Sequence, residues 1–293
     1  MTQRLALLVN PASGKGKLAA QADRVFARLQ AGGYDVTAMQ GRDAAESADL
    51  ASKVVADGYE ALVVMGGDGL MHLALQAVAN SATTLGVVGI GSGNDLARSL
   101  GLPYRDPIAS ADVIAGGATR TVDLARLDDA YYATVLAAGF DSLVNERANA
   151  MRWPRGQLRY TLATLAELRV FTPLPYTLEL DGELLDCEAM LVAVGNGSSY
   201  GGGIRICEGA ILEDGRLDVV VIKPVSKPEL VKVYPRLFRG THTTHPAYER
   251  HRVTKVRVDS PGIVAYADGE RLGPLPVTVT AAPGALQVFT PSP

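Results

Sequence analysis

Three glycine-rich turns, each directly after an apolar run, restrict this chain more than any other feature of its sequence. They are Asn10-Pro-Ala-Ser-Gly-Lys-Gly-Lys17, Gly66-Gly-Asp-Gly-Leu70 and Gly89-Ile-Gly-Ser-Gly-Asn-Asp95, and they follow Leu5–Val9, Ala61–Met65 and Leu85–Val88. An unbroken apolar run of this length, bounded by turn residues, reads as a strand buried on both faces, as in a parallel sheet. Ligands of such sheets bind beyond the carboxyl ends of the strands, where these glycines fall. Glycine lets the backbone approach a phosphate and turn its N–H groups inward. Three such turns on one edge imply a nucleotide site.

Residues 4–117 alternate strand and helix signals. Helices are predicted at Leu18–Leu29, Ala44–Val55, Leu70–Val78, Asn94–Leu100 and Pro107–Ile114, and a further strand at Tyr34–Met39. Such repeats imply right-handed crossovers and a parallel sheet covered by helices on both faces. After Thr119 the strand candidates become alternating and hairpin-like: Thr121–Leu127, Tyr131–Leu136, Tyr176–Leu180, Ala189–Val194, Leu217–Ile222, Val253–Val258 and Val277–Thr280. Asp181-Gly182 is a strong hairpin turn. One long helix, Leu143–Val170, interrupts them and breaks near Pro154. The expected architecture is an α/β nucleotide-binding domain over 1–127, to which 285–293 can return, and a mainly antiparallel β-sandwich domain over 128–284.

A net charge of −3 gives no general field for nucleic acid. No run reaches the length of a membrane span, and the opening residues do not read as a signal peptide, so a cytoplasmic protein is expected. Cys187 and Cys207 make neither a disulfide framework nor a metal cluster. His242, His245 and His251 lie near one another without an evident fourth zinc ligand. Between Lys223 and Arg257 nine Lys and Arg face two Glu, a formal charge of 9 − 2 = +7. Such a segment suits an anionic membrane surface.

Taken in order, several fragments resemble the diacylglycerol kinase catalytic-domain family, which includes bacterial soluble lipid kinases and sphingosine kinases. They are Asn10–Lys15, Gly66–Gly69, Gly91–Arg98, Gly195-Asn-Gly197 with Gly201–Gly203, Gly209–Asp218, Phe238–His242 and Asp268-Gly-Glu270. The resemblance implies an NAD kinase/diacylglycerol kinase-like fold and transfer of phosphate from ATP, with Mg²⁺, to the free hydroxyl of diacylglycerol or a related membrane lipid alcohol. It implies a nucleotide site of Asn10, Ser13, Lys15, Gln40, Gly66, Gly67, Asp68, Gly69, Leu70, Met71, His72 and Ser92, with Asp68 near the metal-bound phosphates. Asp268 and Glu270 face that site across the cleft and supply the base, which of the two being open. A structural Mg²⁺ falls to the Asp214 side chain and the carbonyls of Ile211 and Arg216, and Asp123 to an aspartate–water–metal network. The chain departs from the family at Gln40 and Ser92, where threonine is common, and at Leu70, His72 and Leu73. The alternatives are an NAD kinase-like enzyme and a catalytically silent lipid-binding protein of the same fold. The resemblance further implies peripheral association with the inner membrane surface and admits a homodimer, the oligomer itself not being fixed by the sequence.

Overall fold

The computed structural model describes residues 3–10, 17–151, 153 and 157–292. In the first half β1 (Arg4–Val9), β2 (Asp35–Gln40), β3 (Ala61–Gly66) and β4 (Thr84–Gly89) alternate with α1 (Lys17–Ala31), α2 (Ala44–Ala56), α3 (Asp68–Val78), α4 (Asp95–Ser99) and α5 (Pro107–Ala115). The strands pair in parallel in the order β2-β1-β3-β4. Alternation along β1 divides the packing between two layers. Leu5 and Leu7 meet Val25 and Leu29 of α1 and Ile114 of α5, whereas Ala6 and Leu8 meet Val54 of α2 and Leu75 of α3. Both faces are therefore dry, which is why these strands read as unbroken apolar runs. Local signals set the helix starts. The Asp43 carboxylate accepts the Glu46 N–H, and Asp106 accepts those of Ile108 and Ala109 ahead of Pro107.

The second half contains β5 (Thr119–Leu127), β6 (Ala130–Tyr132), β7 (Val135–Gly139), α6 (Phe140–Ala150) and α7 (Gln157–Val170). These lead to β8 (Leu174–Leu180), β9 (Glu183–Ala189), β10 (Leu191–Gly195), β11 (Leu217–Ile222) and α8 (Lys227–Leu237). The chain closes with β12 (Tyr248–Val253), β13 (Lys255–Asp259), β14 (Val264–Ala267), β15 (Glu270–Pro274) and β16 (Val277–Phe289). One antiparallel sheet runs β12-β11-β10-β7-β14-β15. The other continues the parallel sheet through β4-β16-β13-β8-β9, with β5 against β16 and β6 against β5. Leu136, Val192 and Val219 from one face Leu178, Val256 and Val279 from the other, a sandwich core. The strand β16 serves both halves: Val279 pairs with Val256, and Val288 lies parallel to Leu85.

Several predicted elements divide. Tyr131–Leu136 is two strands in different sheets, broken at Ala133 and Thr134; Val253–Val258 breaks at Thr254, and Met190 separates β9 from β10. Two Asp-Gly turns hold the first two breaks. Asp268 (φ 52°) accepts the N–H groups of Ala133 and Thr134, and Asp181 (φ 49°) those of Thr254 and Lys255. The long helix of 143–170 is two helices, α6 and α7, with Pro154 outside the described residues. The helix α8 has no counterpart in the sequence reading.

Candidate functional site

Two of the glycine turns are in contact. At the carboxyl ends of β3 and β4 the Ile90 N–H donates to the Gly66 carbonyl at 3.0 Å. A β-carbon on Gly91 would lie 2.8 Å from the Cα of Gly67, and one on Gly93 2.4 Å from Oδ2 of Asp68. Glycine is thus a steric requirement at Gly91, where the clash is with backbone, and at Gly93 a side chain would push the Asp68 carboxylate from its place. Asp68 heads α3, and its oxygens accept the main-chain N–H groups of Asp95 (2.7 Å) and Asn94 (2.8 Å). The sequence reading set Asp68 beside the phosphates; the geometry gives its carboxylate the task of fastening one turn to the other. Asn94 takes the left-handed conformation (φ 57°) and closes the turn with a hydrogen bond to each backbone polar group of Gly91.

The opposite wall comes from the sandwich. Asp268 sits at the β14–β15 turn and receives four donors: the Thr134 N–H at 2.9 Å, the Thr134 hydroxyl at 2.5 Å, the Ala133 N–H at 3.0 Å and Nδ1 of His72 at 3.3 Å. Burial pushes the Asp268 carboxyl up. The hydrogen bond and charge of His72, with the bonds from Thr134 and Ala133, outweigh it and hold the group below the usual carboxylate range. Glu270 is exposed and reaches across to α3, where its Oε1 lies 2.9 Å from the position of a β-carbon on Gly69. Between the walls is a narrow crevice lined by Asp68, Met71, His72, Asp95, Thr134 and Asp268.

Asp95, which the sequence reading carried only within a motif, is a member of this crevice. Its Oδ2 accepts the Gly202 N–H of the sandwich at 2.8 Å, and its buried Oδ1 has no hydrogen-bond partner among the described residues. Burial, with a contribution from the Asp68 charge, pushes its carboxyl up to about 6 against the opposing bond from Gly202. Asn196, in the predicted Gly195-Asn-Gly197 fragment, donates to the carbonyls of Asp123 and Ala133 at 2.9 Å each. It ties the strand break under Asp268 to β5.

The other expected nucleotide residues line the same edge in part. The Asn10 N–H donates to the Met65 carbonyl, and Gln40 Nε2 reaches the Asn10 carbonyl at 3.3 Å, so both stand at the carboxyl ends of β1 and β2. Ser92 is exposed on the turn that follows β4. The Leu70 side chain is buried in the core, which leaves its backbone to face a ligand, and the largely buried Met71 side chain contributes to the crevice lining. His72 turns its ring toward Asp268. Ser13 and Lys15 lie outside the described residues.

The expected structural cation site is arranged differently. One Asp214 oxygen accepts the Arg216 N–H at 3.0 Å, and the other is paired with the Arg252 guanidinium. Arg252 also approaches Asp218 at 3.7 Å, and Asp123 bonds directly to the N–H groups of Gly215 and Gly284. A Mg²⁺ on Asp214 and the carbonyls of Ile211 and Arg216 would have to displace the Arg252 guanidinium from that carboxylate.

Comparison with known proteins agrees with this arrangement. The Diacylglycerol kinase catalytic domain model matches residues 4–127, and the YegS C-terminal NAD kinase beta sandwich-like domain model matches residues 134–290. A diacylglycerol kinase of Mycobacterium tuberculosis is 43% identical over 98% of this chain and 95% of its own length. One of Bacillus subtilis is 27% identical over 94% and 92%. Among solved structures, a putative diacylglycerol kinase from Bacillus anthracis superposes with a TM-score of 0.83 at 20% identity, covering 98% of this chain and 97% of that one. An NAD kinase from Archaeoglobus fulgidus in complex with ATP superposes with a TM-score of 0.54 at 13% identity, over 98% and 93%. These two share the fold. The matched models and the identity along nearly the whole chain show that this protein is a kinase belonging to the diacylglycerol kinase family.

Proposed function

We propose that the protein transfers the γ-phosphoryl group of ATP to the free hydroxyl of diacylglycerol or a closely related membrane lipid alcohol, giving phosphatidic acid. The observation that carries this reading is the apposition of the phosphate-type turns of β3 and β4 to the Asp268–Glu270 turn across one crevice. The first N–H groups of α3 have no intrahelical acceptor, and with Gly67 beneath them they make an anion site for the phosphates. Asn10, Gln40 and Ser92 border the same edge. Magnesium, when bound with ATP, neutralises charge on the transferred group; the buried, unpartnered Oδ1 of Asp95 is an oxygen ligand suited to it.

The acceptor hydroxyl needs a carboxylate that is ionised and within reach. Asp268 is held ionised by its donors, and the His72 contact is the longest of the four, hence the one a substrate hydroxyl displaces most readily. The Glu270 side chain makes no hydrogen bond to a described residue and stands over the head of α3. The base is a carboxylate of this turn. Transfer of labelled γ-phosphate to diacylglycerol, monoacylglycerol, a sphingoid base, ceramide and NAD tests the reading. Label in phosphatidic acid is expected. Label in NADP alone, or ATP binding with no transfer to any acceptor, overturns it.

A further inference from the structure

The helix α8 presents an apolar stripe to solvent. Val231, Tyr234, Pro235 and Phe238 stand at i, i+3, i+4 and i+7, one continuous face; Val231 is 56% exposed, Tyr234 43% and Phe238 45%. The rings of Tyr234 and Phe238 meet edge to face at 5.6 Å between centroids. The helix is nevertheless anchored. Leu237 packs against the cluster of Ile206 and Val220, and Arg236 bonds to the Thr241 carbonyl and the Thr244 hydroxyl. The stripe is thus the outer face of a docked helix.

The structure also localises the charge of the basic segment. Lys223 pairs with Glu249, Arg250 with Asp218, Arg252 with Asp214 and Arg257 with Asp259, so those cations are already matched by carboxylates of the protein. Lys232 and Arg239 are exposed on the flank of the α8 stripe, and neither side chain pairs with a described residue. The Lys227 ammonium bonds to the Arg169 carbonyl at the end of α7. There Val170, 61% exposed, extends the apolar surface.

We propose that α8 docks the protein on an anionic bilayer, with Val231, Tyr234, Pro235 and Phe238 in the headgroup–acyl boundary and Lys232 and Arg239 on the headgroups. The inference rests on the lipid-kinase reading only for its purpose. Its physical basis is the combination of an apolar helical stripe, aromatic rings and a basic flank, which is the chemistry of interfacial helices. A second copy fits the surface poorly, because a two-fold pairing through this stripe brings Lys232 and Arg239 of both chains together.

The test is flotation of the full chain, without nucleotide, on phosphatidylcholine vesicles with and without phosphatidylglycerol. Binding is expected on the phosphatidylglycerol vesicles. Neutralising the flank with Lys232→Gln and Arg239→Gln is expected to weaken it about tenfold or more, at roughly a factor of five per cation. The triple variant Val231→Ser, Tyr234→Ser, Phe238→Ser is expected to abolish it while leaving the melting temperature unchanged. In a Trp153→Phe background, a Trp introduced by Phe238→Trp should shift its emission to the blue on these vesicles. Equal binding by the triple variant, or an unmoved emission, overturns the proposal. So does a dimer in solution that the triple variant converts to monomer, since that makes a second copy the occupant. Because no phosphoryl transfer is read, vesicle binding without kinase activity, or activity without binding, tells the failure of one reading from the failure of the other.

Discussion

The carboxylate of Glu270 stands 2.9 Å from where a β-carbon on Gly69 would lie, and the two residues belong to opposite walls of the crevice. A methyl group there must displace the end of a flexible side chain, which costs the fold little, and alanine is the better helix former by about 1 kcal/mol. Gly69→Ala is therefore expected to keep or slightly raise the melting temperature while kcat/KM for lipid phosphorylation falls about tenfold or more, since positioned proton transfer contributes at least a factor of that order. Steady-state kinetics beside a thermal melt checks it. A full wild-type rate in Gly69→Ala would remove Glu270 from the reacting geometry.

Asp95 gives the crevice a pH signature. An ordinary aspartate releases its proton near 3.8, whereas folded Asp95 keeps its own until about 6. Between these values the unfolded chain has ionised and the folded chain has not, so stability falls as pH rises through the window and the loss is complete above it. Two pH units correspond to about 3 kcal/mol. Asp95→Asn, which retains an acceptor for Gly202, is expected to match the wild type at the acid end and to exceed it increasingly toward neutral pH. Melting curves in nucleotide-free, Mg²⁺-free buffer read the difference; parallel profiles for the two proteins would contradict the assignment.

The pairing of Asp214 with Arg252 bears on magnesium. With a guanidinium already on the carboxylate, the nucleotide-free protein is expected to melt at one temperature in EDTA and in Mg²⁺. Arg252→Ala removes a partly exposed ion pair, at a cost on the order of 1 kcal/mol, and frees Asp214 to take the metal, so Mg²⁺ should restore part of that loss. A wild-type protein stabilised by Mg²⁺, with the effect abolished by Asp214→Asn, would mean that the cation displaces Arg252.

The parallel half of the fold was legible because β1, β3 and β4 are buried on both faces past their first residues and so carry unbroken apolar runs. The strand breaks at Ala133 and Thr254 were not. Their residues suit a strand, and what interrupts them is a carboxylate from a distant Asp-Gly turn. Asp181-Gly182 was legible as a turn, while what it fastens lay beyond local sequence. The helix α8 escaped notice because Pro235 and the scatter of Lys and Arg mask a periodic stripe that points outward. In the site, the glycine turns announced themselves, but the use of Asp68 as a clamp and the joining of Asp95 to Gly202 depend on contacts across the fold. The pairing of Arg252 with Asp214 was equally hidden, because it follows from a register of β12 beside β11 that sets Arg252 opposite Asp218.

The decisive measurement is phosphatidic acid formation from Mg-ATP and diacylglycerol in mixed micelles, with Asp268→Asn and Glu270→Gln assayed beside the wild type and ATP binding followed by calorimetry. The expected result is product from the wild type, with a loss of about a hundredfold or more in the variant that lacks the base and ATP affinity kept in both. A wild-type protein that binds ATP yet forms no lipid phosphate, or two variants that both turn over at the wild-type rate, would contradict a lipid kinase acting through the Asp268–Glu270 turn.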